Sequence, residues 1–188
     1  MTENTLNLRN HLLIAMPGMG DPNFDHSVSL LCQHDEFGAF GVVINRPLEM
    51  TVGELLGQLA IEIHDPHIAG QPALSGGPVQ PEQGFVLHDG ERRWDSTLRI
   101  SDDLALTSSR DILSDIASGV GPQHFLLILG CAGWSPGQLE HEIKENAWLT
   151  CLATPEILFD MPYTQRWQGA ARTLGIDMNL LGVTAGHA

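Results

Sequence analysis

An α+β domain with a mixed sheet is what this sequence predicts, on three observations. Strand-like runs cluster before the first helix signature, and beyond it strands and helices mix irregularly, so strict βαβ alternation is absent. The stretch "HFLLILG", His124 to Gly130, is a fully apolar strand run of the kind found at a sheet's centre. No internal repeat, low-complexity block or long Pro/Gly/Ser linker divides the chain, so residues 1–188 read as a single domain.

The elements follow in order. A strand at His11 to Met16 precedes the loop "PGMGDPNF", and "SVSLLCQHD" and "AFGVVINRP" read as two strands of a hairpin joined by "DEFG". Thr51 and Glu54 form a capping-box signature, and Val52, Leu55, Leu56 and Leu59 recur at helical spacing, predicting a helix of about ten residues. Ile61 to Pro72, polar and with two prolines, reads as a surface loop. "QGFVLHD" and part of "RRWDSTLRISDD" are strand candidates. Ser108 and Asp111 suggest a cap for a helix carrying Ile112, Leu113 and Ile116, which stops around Gly119 to Pro122. After "HFLLILG" come the strand "AWLTCLA" and short helices opened by Thr154-Pro155 and by Pro162. The last of these places Trp167, Ala170, Ala171 and Leu174 on one face before Gly175.

Composition excludes several function classes. A chain of 188 residues, 43% hydrophobic, suffices for one core burying about 70% of the unfolded surface. Cys32, Cys131 and Cys151 are odd in number and widely spaced, which suggests neither a disulfide framework nor a thiolate zinc site. The N-terminus lacks a basic segment, and its apolar run, Leu12 to Met16, is too short for a signal peptide or a membrane span, so a cytoplasmic location is expected. Nine basic against 23 acidic side chains give a formal charge of −14, which repels polyanions. The closest basic grouping is Arg92, Arg93 and Arg99 around Trp94, too small for a phosphate-facing stripe, so no direct nucleic-acid contact is expected.

The stretch "LILGCAGWSPGQLEHEI", Leu127 to Ile143, holds the first candidate site. Ser135 can cap a helix with Pro136 at its first position and Gln138 reaching back, while the glycines let the backbone turn sharply after "HFLLIL". Amides exposed at such a start can bind an anion. Against this, Glu140 and Glu142 lie just beyond the first turn and no Lys follows the glycines. The same helix start would favour a Cys131 thiolate, but Gly130, Cys131, Ala132 and Gly133 do not keep the Gly-x-nucleophile-x-Gly spacing, and a small thiol packed beside the sheet end is the plainer reading. In "HEIKE", Leu139, Ile143 and Ala147 define the buried face, which turns His141 and Glu145 to solvent rather than to a metal. "HDPH", His64 to His67, has no third placed ligand, so no metal and no cofactor are expected.

Three further pieces place polar residues where strands end: Asn45 and Arg46 before Pro47, the pair Gly76 and Gly77, and His88 in "FVLHD". Arg46 suits a carboxylate or phosphate, with a structural salt bridge or carbonyl cap as the alternative. The glycine pair could equally be a turn, and His88 a satisfied core histidine. Trp134 is either a ligand-stacking ring or a large core side chain.

Ordered motifs along nearly the whole chain resemble the AlgH/YqgE family of bacterial proteins, often labelled uncharacterised or transcriptional regulator. They are "HLLIAMP", "DPNFDHSV", "GVVINRP", "GGPV", "GFVLH", "TSSRDIL", "AGWSPGQLEHEI", "NAWLT" and "AGHA". The resemblance implies a single α+β domain whose bifurcated sheet curls into a partial barrel with flanking helices. Two departures stand out: Cys131 replaces the Tyr usual before "AGW", and Gln83 the Arg usual before "GFVLH". A thiol that relatives lack carries no family-wide nucleophilic role.

No catalytic residue is assigned. One expectation is therefore a non-enzymatic cytoplasmic protein acting through an unidentified protein partner, in regulation without direct DNA binding. The other is a sensor or enzyme for a small anionic ligand, with Asn45, Arg46, Gly76, Gly77, His88, Gly133, Trp134, Ser135 and Gln138 converging at one end of the sheet.

Overall fold

The computed structural model describes residues 6–185, with backbone alone for 182–185, so "MTENT" and all of the terminal "AGHA" but Ala185 lie outside the described residues. Strands β1 (His11–Ala15), β2 (Val28–Asp35) and β3 (Gly38–Val43) form an antiparallel meander whose second hairpin turns at Glu36–Phe37, within "DEFG". Strand β10 (Trp148–Leu152) flanks β1 at the outer edge. On the other side β3 meets β9 (Phe125–Trp134), which continues through β6 (Val79–Asp89) and β8 (Leu104–Thr107) to β7 (Thr97–Arg99). The fold is α+β, and the sheet curls into a half-barrel.

The sheet divides along β9. Its final residues, Ala132 to Trp134, pair with β3, whereas Ile128 and Leu129 run parallel to β5 (Pro72–Ser75), which pairs in turn with β4 (Pro47–Thr51). Between the two partners sits Gly130 at φ +81°, packed on the carbonyl of Gly77 at φ +145°. Gly76 bridges the branches: its N–H donates to Leu129 O (2.7 Å) and its carbonyl accepts from Val43 N–H (2.8 Å). On the far side of β9, β6 bulges between Val79, opposite Cys131, and Gly84, opposite Leu129.

Both sheet faces are covered, which is why the central strands read as continuous apolar runs. Leu12, Ile14, Leu30, Leu87 and Ile128 point into the main core, closed by Trp167, Ala170 and Ala171 of α5 (Arg166–Arg172). On the opposite face, Leu13, Leu31, Trp134 and Trp148 pack under α4 (Gln138–Lys144). Val86 and Leu127 pack there under α1 (Val52–Gln58) and α3 (Asp111–Ala117). The α1 start follows the sequence signature, since Thr51 Oγ1 accepts from Glu54 N–H at 3.2 Å.

Several expectations need correction. Ile61 to Pro72 contains α2 (Pro66–Ala69), started by Asp65, whose carboxylate accepts from the N–H groups of His67 and Ile68. Ser108 caps nothing at α3; Asp111 itself accepts from Ser109 Oγ–H and Ile112 N–H. The glycines after "HFLLIL" do not turn the chain, because β9 runs on to Trp134. Thr154-Pro155 opens a π-helical turn (Glu156–Asp160), and Pro162 a 3₁₀ turn (Tyr163–Gln165) that leads into α5. Leu174 is 42% exposed, beyond the buried face. Strands β4, β5 and β8 and the helix α6 (Met178–Ala185) went unpredicted.

A Cβ on Gly76 would lie 2.3 Å from Gly130 O and 2.4 Å from Ile128 Cγ2. Gly76→Ala is expected to cost about 2–3 kcal/mol of stability, read as a lower urea midpoint, because these neighbours are backbone and fully buried core.

Candidate functional site

The residues expected to converge are distributed along the whole of β9. His88 is opposite Phe125 at its start, Gly76 and Gly77 lie against its middle, and Gly133 and Trp134 form its end. Ten residues of strand span on the order of 30 Å, far beyond a side chain's reach. Asn45 and Arg46 do lie beside the glycine pair, since Arg46 O accepts from Ser75 N–H at 2.8 Å.

Each polar group among them serves the fold. Asn45 Oδ1 accepts from Val28 N–H (3.0 Å) and its amide donates to His26 O (2.9 Å). The Arg46 guanidinium donates to the carbonyls of Asn23 and of Asp25 (2.8 Å), so it caps the loop before β2. Ser135 does not cap α4, which starts three residues later, at Gln138, behind Gly137 at φ +77°. Gln138 reaches back as the capping reading expects: its Oε1 accepts from Ser135 N–H (3.0 Å) and Oγ–H (3.1 Å). With seven residues and Glu140 in its first turn, α4 offers an anion little.

His88 is fully buried on β6. Its Nδ1–H donates to Asp89 O (3.1 Å), so Nε2 accepts from the Thr107 hydroxyl (2.7 Å), which accepts in turn from Thr97 (2.8 Å). Burial pushes its pKa below the ordinary histidine value; the Asp89 hydrogen bond opposes that shift without reversing it. Cys131 is 4% exposed, its thiol facing Val79 O at 3.6 Å, and burial raises its pKa. Burial does the same to Cys32 and Cys151, so all three stay protonated thiols, and only the thiolate is nucleophilic.

His141 on α4 and Glu145 just past its end are exposed, as are His64 before α2 and His67 within it. Among the described residues no three His, Cys, Asp or Glu side chains gather as a metal would need. The arginines around Trp94 separate: Arg92 pairs with Asp115 and lies 4.7 Å over the Trp94 ring, while Arg99 donates to Gly90, Ser101 and Asp102 carbonyls. Among the described residues no helix is long and apolar enough to cross a membrane.

What sequence reasoning missed is a cleft of about 620 Å³ between the loop after β1 and the junction of α4 with β10. Trp134 and Gln138 line it, but so do Phe24, Asp21, Glu142 and Trp148. Glu142 organises its floor: Oε1 accepts from the indole N–H groups of Trp134 (3.2 Å) and Trp148 (3.1 Å), and Oε2 from the Gln138 amide (3.1 Å). The available signal was composition, since two of only four tryptophans flank one short acidic helix. A second cleft, of about 430 Å³, contains His124, whose Nδ1–H donates to Asp89 at 2.7 Å.

A family model described as AlgH-like matches residues 12–179. A UPF0301 protein of Xanthomonas campestris pv. campestris (strain B100) is 52% identical over 181 residues, 96% of each chain. One from Stenotrophomonas maltophilia is 51% identical over 180 residues. The solution structure of the AlgH protein from Pseudomonas aeruginosa superposes with a TM-score of 0.79 at 46% identity, covering 100% of this chain and 98% of that one. A crystal structure from Corynebacterium diphtheriae, at 23% identity and a TM-score of 0.75, shares the fold.

The buried His88 generates a pH dependence. Its folded pKa lies below its unfolded one, so its contribution is complete above about pH 6.5 and is lost as pH falls toward the folded value. Between pH 7.5 and 5.5 the melting temperature should fall, and His88→Gln should reduce that fall by about 2–4 °C. Calorimetry at the two pH values reads the difference.

Proposed function

The chain belongs to the AlgH-like family, and on that premise we propose that it is a non-enzymatic cytoplasmic protein that acts through a protein partner, in a regulatory role and without touching DNA. The observation that carries this reading is the commitment of its reactive groups to the fold. His88 is hydrogen-bonded at both nitrogens, Arg46 caps two carbonyls, and Cys131 is a buried thiol with a raised pKa. Nucleophilic catalysis needs an activated nucleophile within reach of a base, and none of these side chains offers that pairing.

The location is supported by three free, buried thiols, which suit a reducing compartment. The exclusion of DNA is supported by a charge of −14 and by the diversion of arginines to internal carbonyls. Fluorescence anisotropy with a labelled duplex at 50 mM salt or below should show no binding at micromolar protein; a salt-dependent isotherm there would reverse this part of the reading.

Native mass spectrometry on chain purified gently from its own host tests the partner. Heteromeric species containing the full-length chain are expected. A population made up only of the free chain and its homo-oligomers would overturn the proposal.

A further inference from the structure

The cleft under α4 has a chemistry that the partner reading does not use. Its charged lining is Asp21, Glu142 and Glu145, with no Lys, Arg or His among the residues that form it. Its apolar wall is aromatic. Phe24 lies 5.5 Å from Trp148 at 79° and 6.0 Å from Trp134, and the two indoles meet edge to face at 6.2 Å and 76°. Trp134 and Trp148 are 5% and 3% exposed, so they form a rigid floor, and the half-buried Phe24 is the ring that the cleft presents.

We propose that this cleft is a binding site for an organic cation, an alkylammonium or alkylguanidinium group carried on a short apolar stem. The carboxylates supply charge. Both indole N–H groups bind a single oxygen of Glu142, leaving its other oxygen with the Gln138 amide alone; a carboxylate offers about four acceptor sites, so Oε2 can take a further donor. The face of Phe24 attracts a cation through its quadrupole, and Met16 and Met19 give the stem an adaptable apolar wall. An anion is repelled by every charged group in the cleft. The volume of about 620 Å³ suits a small molecule or one extended side chain.

The same cationic group could come from a free amine or from a lysine or arginine of a partner protein. The inference stands whether or not a partner is found: capture of a heteromer and titration of an amine are separate measurements. The four tryptophans give four indole N–H resonances as reporters in the ¹⁵N-labelled full chain. On addition of n-butylammonium or n-butyltrimethylammonium, the Trp134 and Trp148 signals should shift saturably, those of Trp94 and Trp167 should not, and butyrate should move none of them. Asp21→Asn and Glu145→Gln, both at exposed positions, should each weaken binding about two- to fivefold and leave the melting temperature unchanged.

Absence of a saturable shift at either indole would overturn the proposal, as would an equal response to butyrate or unchanged affinity in both variants. A capped peptide with one lysine between two leucines separates the sources. Tighter binding than n-butylammonium supports a partner's side chain, and equal or weaker binding supports a free amine.

Discussion

The fold depends on three backbones meeting without side chains between them. Strand β9 has to satisfy β6 along one edge and divide its other edge between β3 and β5, and that division is possible only where Gly76, Gly77 and Gly130 pack backbone on backbone. Positive φ at Gly77 and Gly130 lets the chain bend there without the strain an L side chain would add. Because the fork sits in the middle of β9, the sheet curls to each side of it. One branch carries β1, β2 and β10 toward α4, and the other carries α1 and α3.

Closure of the curled sheet falls to α5. Trp167 donates its indole N–H to Ala15 O at 2.8 Å, and Arg166, 2% exposed, donates to Ile44 O (2.5 Å) and Met161 O (3.0 Å) with its guanidinium 4.4 Å over the Tyr163 ring. Burial lowers the Arg166 pKa to about 10, still far above neutrality, so the group stays charged inside the protein. Its partners are carbonyl dipoles and an aromatic face. The arrangement ties α5 to the ends of β1 and β3, the two strands that lead into the "PGMGDPNF" loop and the fork.

How much of this was legible depends on range. The strand meander, the Thr51 cap and the central "HFLLILG" strand follow from local periodicity and local hydrogen bonds, and they appear as read. The glycines of "GCAGW" were misread as a turn because the freedom that permits a turn also permits close packing, and only the position of Gly77 decides between them. Asp65-Pro66 carried its own helix-start signal, which the polar composition around it outweighed. The site failed differently. Asn45, Gly76, His88 and Gly133 each end an apparent strand, but which ends lie together is set by pairing register and by the fork, and neither is written in any one segment. The acidic aromatic cleft joins residues 16–24 to residues 133–148, a contact no local pattern announces.

The charge balance connects fold and surface. Of nine cationic side chains, Arg46, Arg92, Arg99, Arg110 and Arg166 donate to backbone carbonyls, holding loops and helix ends together. A guanidinium with five N–H donors is suited to that task, and a chain with a single lysine has used its cations as structural donors. His34 binds Glu140, which burial raises and hydrogen bonds to its own N–H and to His34 lower, leaving it below the ordinary value and ionised. With 23 acidic against nine basic side chains, an approaching molecule meets a field dominated by carboxylate. Capping loops with arginine thus does two things at once: it stabilises the half-barrel, and it leaves few cations free to offset the 23 acidic side chains.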